Sequence, residues 1–297
     1  MAESDKPNWP PPLDHEYTLK EDEIAFFKQE SGITDDQALK EHILKVQSDA
    51  YAIYPYPCIR RFAFATLKIS RYPFYKDVLK LGKERPGAIL LDIGCCFGND
   101  SRKVISDGFP KDQVIASDLR QGFWDLGHEL FKSTPETFDV PFIAGDVFSD
   151  TLIAPAEPAY EPVTGANPPL KSLTSLNPLI HRISVIHASA FFHLFDEQQQ
   201  FTIAQRLAGL LSPEPGSIIF GSHIGSAGEP SNRSNASGGI SYAHSVDSWK
   251  ELWDGKIFKK GSVKVDAFIH EMERKDKAPD REGKFVATLL VFCVTRL

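Results

Sequence analysis

Near the start of the chain, apolar residues recur at three- and four-residue steps. After Gly87 they give way to short runs of consecutive aliphatic residues. The first pattern is helical. Leu39, Ile43, Val46 and Ala50 fall on one helical face behind Asp35, whose carboxylate suits an N-cap. That helix is predicted to stop at Tyr54-Pro-Tyr-Pro57, because proline removes a backbone donor. An aromatic and basic stretch follows from Cys58 to Ser70, and a third short piece begins at Pro73. Residues 15–86 are read as an N-terminal helical cap and residues 1–14, with four prolines, as a disordered tail.

The second pattern predicts strands at Ala88–Asp92, Gln113–Asp118, Val140–Gly145, Ile183–His187, Gly216–Phe220, Ser262–His270 and Phe285–Thr295. Helices between them are predicted to start near Asn99, Gly122, Lys171 and Asp196. Strands alternating with helices imply βαβ units and a mostly parallel sheet. The last two strands are separated only by a loop, Glu271–Gly283, and are expected to form an antiparallel hairpin. Residues 87–297 are thus read as one α/β domain. Thr151–Pro169 is too rich in proline for a helix, and Ile224–Gly239 is rich in Gly, Ser and Asn and is read as mobile. Both follow the carboxyl end of a strand, the edge where ligands bind in open α/β sheets, so both are candidate lids.

Composition narrows the function. The 297 residues carry a net charge of -7; the first fifty hold twelve acids and five lysines, so the remainder balances at 28 against 28. A body without basic surplus argues against a nucleic-acid partner. The N-terminus lacks the basic flank and apolar core of a signal peptide, and the longest apolar run, Ala287–Val294, is too short to cross a bilayer. The four cysteines show no disulfide or zinc spacing. A cytoplasmic protein without a metal is expected, its oligomeric state left open with a homodimer as one option.

The candidate chemistry sits at three successive strand ends. Leu90-Leu-Asp92-Ile-Gly94-Cys-Cys-Phe-Gly98 is a buried strand ending in an acid, then a glycine-bearing turn that opens a helix. It is neither the G-x-G-x-x-G dinucleotide fingerprint nor a phosphate-binding P-loop. An acid before the glycines suits a ligand with an ammonium group. Asp118 ends the second strand, where a carboxylate can accept both hydroxyls of a ribose. Asp146 ends the third, placed to accept from an adenine amino group while Val147 packs on the ring. A single such acid is unremarkable; three in order are not.

These residues, with the terminal hairpin, resemble the class I S-adenosylmethionine-dependent methyltransferases over about Gly87–Leu297. The resemblance implies a Rossmann-like seven-stranded sheet and S-adenosylmethionine as cofactor. It carries cofactor contacts onto Asp92, Gly94, Cys95, Gly98, Asp118, Leu119, Asp146, Val147, His187 and Ala188. Cys96 departs from the pattern, standing where that family usually has a third glycine. A narrower likeness lies in Ile186-His-Ala-Ser-Ala-Phe-Phe-His-Leu-Phe195, Tyr54-Pro-Tyr-Pro-Cys-Ile-Arg-Arg-Phe62 and Pro215-Gly-Ser-Ile-Ile-Phe-Gly-Ser-His223. With these the chain resembles fungal methyltransferases of meroterpenoid pathways, which implies O-methylation of a hydrophobic terpenoid or polyketide-derived substrate.

The fourth strand end lacks the Asn/Asp-Pro-Pro-aromatic turn of many nitrogen methyltransferases, and has His187 instead. His187 could act as general base toward a phenol or alcohol; the alternative is a structural histidine beneath the cofactor. His223 is a second candidate base. A carboxylate acceptor is already ionised at neutral pH and needs no base, but would call for a cation. Arg60 and Arg61, beside Tyr54 in the cap, are the expected ones, with Phe192 and Trp249 as apolar substrate contacts. A regulator that keeps the fold without turnover, and a protein or RNA methyltransferase, are the alternatives.

Overall fold

The computed structural model describes Leu13 and residues 17–234, 239–273 and 286–297. The chain opens with α1 (Glu21–Ser31), which ends at Gly32 in the left-handed region, and α2 (Asp36–Ile53). Asp35 caps α2 by accepting the Ala38 N–H at 2.8 Å, and the helix ends at Tyr54, before Pro55. The short α3 (Pro57–Arg60) and α4 (Tyr75–Glu84) follow.

The predicted cap packs in two places. Phe26, Phe27, Leu39, Ile43, Val46 and Ala50 share a cluster with Phe97, Phe123 and Phe131 of the α/β body, with Phe27 stacked on Phe131 at 5.2 Å. Ile69, Tyr72, Tyr75 and Val78 instead lie in the cluster formed with the sheet residues Leu90, Val114, Phe220 and Val291. α4 therefore serves as a covering helix of the sheet, while the segment before about Leu67 lies over the body.

The α/β body contains β1 (Leu90–Ile93), α5 (Asn99–Ser106), β2 (Val114–Asp118), α6 (Gln121–Leu130), β3 (Phe142–Ala144), β4 (Val185–His187), α7 (Glu197–Leu210), β5 (Ile218–Ile224), β6 (Ser231–Ser234), β7 (Ile240–Ala243), α8 (Val246–Trp253), β8 (Val263–Glu273) and β9 (Val286–Arg296). Seven strands form one sheet in the order β3-β2-β1-β4-β5-β9-β8, parallel as far as β5, with β9 antiparallel to both β5 and β8. The strands β1, β4 and β5 are almost wholly buried, as strands covered on both faces must be. Chain order reverses between β1 and β4, so a crevice opens at their carboxyl ends.

Several expectations are corrected. No long helix starts near Lys171: Leu170–Ser172 and Asn177–Leu179 are single 3₁₀ turns among prolines. β5 continues through His223 to Ile224, because β9 supplies backbone partners along its whole length. The Gly/Ser/Asn-rich stretch carries an antiparallel ribbon, β6 against β7, and residues 235–238 lie outside the described residues. The tail lies outside them too, except Leu13, whose carbonyl accepts from Gln47. So does most of the predicted 271–283 loop, whose flanking strands do pair. Among the described residues, no helix is long and apolar enough to cross a membrane.

Candidate active site

The turn after β1 builds the site. Gly94 and Gly98 both have φ 70, a conformation that costs glycine nothing. A Cβ on Gly94 would stand 2.7 Å from the Phe191 ring, and one on Gly98 2.6 Å from Trp124. Cys96, the residue in place of a third glycine, also takes a positive φ of 52. The Ser117 carbonyl holds the turn by accepting the N–H groups of Gly94 and Cys95. Asp118 accepts the Cys96 N–H at 2.9 Å through Oδ2 and the Arg120 N–H at 3.0 Å through Oδ1. Burial raises the Asp118 pKa, against the pull of those two N–H bonds.

Asp92 and His187 are register partners on β1 and β4, so their side chains leave the sheet on the same face. The His187 Nδ1 lies 2.9 Å from Asp92 Oδ1, and Asp92 Oδ2 accepts from Ser101 Oγ at 2.7 Å. Burial works to lower the His187 pKa, but the hydrogen bond and charge of Asp92 outweigh it and hold it above its ordinary value. His187 Nε2 is buried and has no hydrogen-bond partner among the described residues. The Phe220 ring lies 5.1 Å from the imidazole and Tyr72 at 6.2 Å, the Tyr72 hydroxyl bonding Ser189 and Ser222.

These groups border a cavity of about 650 Å³. Its floor includes Asp92, Gly94, Cys95, Cys96, Asp100, Asp118, Leu119 and His187. Tyr54, Tyr56, Ile59, Arg61, Phe64 and Lys68 come from the N-terminal segment; Phe191, Leu194 and Phe195 follow β4; Arg233 and Tyr242 reach in from the β6–β7 ribbon. Arg120 lies 4.2 Å over the Tyr54 ring. Asp100 is buried and accepts the Ile69 N–H at 3.1 Å; burial raises its pKa while the charge of His187 opposes. Among the described residues no group of three or more His, Cys, Asp or Glu could hold a metal ion.

Of the residues singled out in the sequence, Asp92, Gly94, Cys95, Asp118, Leu119, His187, Tyr54 and Arg61 border this cavity. The others do not. Gly98 is the N-cap of α5, against Trp124. Asp146 is exposed beyond β3 and accepts the Phe148 N–H, while Val147 is buried in the core below. Ala188 is buried and bonds the Phe220 carbonyl. Arg60 lies outside the cavity lining, its carbonyl accepting from Gln47. Phe192 and Trp249 are fully buried, with their rings 5.0 Å apart.

His223 belongs to the same aromatic nest, 4.6 Å from Trp249 and 5.7 Å from Phe292, with neither ring nitrogen partnered among the described residues. Burial holds its pKa well below the ordinary value, and it is a neutral core histidine without access to the cavity. Sequence reasoning missed Lys68, Asp100, Arg120 and the ribbon residues. Only Asp100, one residue inside the helix that follows the turn, offered a positional signal.

Residues 12–65 match the family described as the meroterpenoid methyltransferase N-terminal domain. The chain is 34% identical over 252 residues to the O-methyltransferase phiE of a fungal species, covering 83% of this chain and 74% of that one. It is 31% identical over 256 residues to the asnovolin E/chermesin D methyltransferase nvfJ of Aspergillus novofumigatus (86% and 82% covered), and 30% identical over 260 residues to the methyltransferase ausD of Penicillium brasilianum (88% and 84% covered). The solved 1,6-didemethyltoxoflavin-N1-methyltransferase of Burkholderia thailandensis superposes with a TM-score of 0.49 at 16% identity, over 86% of this chain and 90% of its own. With relatives of this identity along most of its length, the chain belongs to the family of fungal methyltransferases that includes phiE, nvfJ and ausD.

Proposed function

We propose that this enzyme methylates a carboxylate oxygen on a hydrophobic terpenoid, meroterpenoid or polyketide-derived acid, making a methyl ester. The observation that carries the reading is the set of four cations in the cavity wall, Arg61, Lys68, Arg120 and Arg233. A hydroxyl acceptor needs a base within hydrogen-bond reach. A carboxylate with a pKa of about 4 needs only a cation and alignment.

The residues present fit S-adenosylmethionine. Asp92, Asp100 and Asp118 bring negative charge to the floor, which suits a ligand carrying an ammonium and a sulfonium centre. The left-handed turn at Gly94, with no side chain of its own, borders that floor. Asp118 would hold the ribose, with Leu119, an exposed apolar residue at the cavity's edge, beside the base. When bound, this donor supplies an electrophilic methyl group.

What the chain itself contributes is alignment and exclusion of water. Ile59, Phe64, Phe191 and Leu194 give an apolar wall against a terpenoid or polyketide skeleton. Holding the acceptor oxygen in line with the methyl group can lower the barrier by roughly 7–11 kcal/mol. His187, fixed by Asp92, stiffens the floor. Calorimetric titration with S-adenosylmethionine and S-adenosylhomocysteine, then mass-spectrometric screening of terpenoid and aromatic acids, tests this reading. Binding of both ligands and a gain of one methyl by an acid are expected. Acids that bind the loaded enzyme but gain no methyl would contradict it.

A further inference from the structure

The carboxylate reading leaves open which cation meets the acceptor, and the cavity wall narrows the choice. Arg120 stacks on Tyr54, and its charge acts on the neighbouring Tyr56. Arg61 is already engaged in an interaction of its own. Arg233 stands on the exposed strand β6. Arg60 is outside the cavity. Lys68 differs from all of these: it is half-buried, it borders the cavity, and among the described residues its ammonium has neither an ion-pair nor a hydrogen-bond partner.

Its backbone is fixed. Lys68 stands at the start of the 3₁₀ turn Ile69–Arg71; its N–H donates to the Thr66 carbonyl, and the next N–H, that of Ile69, donates to Asp100. Its charge reaches the cavity floor from there: it acts to lower the pKa values of Cys58, Cys96, Asp100 and His187. The long alkyl stem of a lysine can lie along an apolar wall while the ammonium stays in the polar part of a site. A lone ammonium in a partly apolar cavity gains most from an anion that arrives with its own apolar body.

We propose that Lys68 is the specificity-determining cation of this enzyme, pairing with the carboxylate of the hydrophobic acceptor and holding it beside the glycine turn. The inference rests on the carboxylate reading above. Proximity to Asp100 is the competing account, in which Lys68 merely balances a buried acid.

A dansylated long-chain fatty acid and its methyl ester separate the possibilities, titrated by fluorescence into enzyme saturated with S-adenosylhomocysteine. The wild type is expected to bind the acid about tenfold more tightly than the ester, the difference of one desolvated ion pair. Lys68→Met is expected to bring the two within about twofold, and Lys68→Arg to restore the preference. A preference that survives in Lys68→Met overturns the assignment of Lys68 and leaves the carboxylate reading standing. No preference in the wild type contradicts that reading and the inference with it. Loss of S-adenosylhomocysteine binding in Lys68→Met, with Lys68→Arg normal, would place Lys68 at the donor and also overturn the proposal.

Discussion

His187 and Asp92 face each other across the β1–β4 pair, their side chains meeting at 2.9 Å where the strand order reverses. The carboxylate fixes the imidazole by its Nδ1, and Nε2 is left buried without a partner among the described residues. Such a histidine supports the floor of a site. Under the proposed carboxylate chemistry it has no proton to collect.

That placement predicts the behaviour of His187→Asn, whose amide can still donate to Asp92. Turnover on an acid is expected to stay within about tenfold of the wild type, with a kcat that does not vary across the neutral range. Loss of base catalysis would remove roughly a hundredfold or more. A loss of that size with unaltered donor affinity would show His187 acting as base.

The same pair sets a pH dependence of stability. The Asp92 interaction raises the His187 pKa in the folded protein despite burial. A raised histidine pKa contributes stability that is fully present below the unfolded value of about 6.5 and is lost as pH rises through the folded value. The unfolding midpoint of the wild type, measured relative to His187→Asn, is therefore expected to fall as pH is raised upward from about 6.5. A gap that widens with pH would contradict the assignment.

The turn after β1 makes a prediction by contrast. Gly94→Ala places a Cβ 2.7 Å from Phe191 at a positive φ, so the turn must shift; affinity for S-adenosylhomocysteine is expected to fall about tenfold or more. Cys96→Gly relieves a positive φ at a non-glycine residue and is expected to leave that affinity within about twofold. Calorimetry checks both. Equal losses in the two variants would refute the account of the turn.

Asp118→Ala removes the proposed ribose acceptor together with the partner of the Cys96 and Arg120 N–H groups. Affinity for S-adenosylhomocysteine is expected to drop by about tenfold or more, the worth of one or two charge-assisted hydrogen bonds. Unchanged affinity would remove the ribose assignment.

The strands and the glycine turn were legible in the sequence because their signals are local: an apolar run, a strand-end acid, glycines at a fixed spacing. Asp35 as a helix cap was legible for the same reason. The pairing of Asp92 with His187, 95 residues apart, was not, because it depends on β4 lying beside β1. Composition also misled. Trp249 and Phe192 suit an apolar pocket as readily as a core, and packing against His223 and Phe292 placed them in the core. Ser231–Ser234 carries no apolar alternation, so its pairing with Ile240–Ala243 left no trace in the pattern. Lys68 had no motif around it; only the fold brings it to the cavity.

The central claim is ester formation, and the chemistry of the product tests it most directly. The enzyme would be incubated with methyl-labelled S-adenosylmethionine and a hydrophobic acid that also bears a free hydroxyl, and the labelled product treated with mild alkali. Release of the label as methanol, with recovery of the acid, is the expected result. A labelled product that survives alkali is a methyl ether, and would contradict the account.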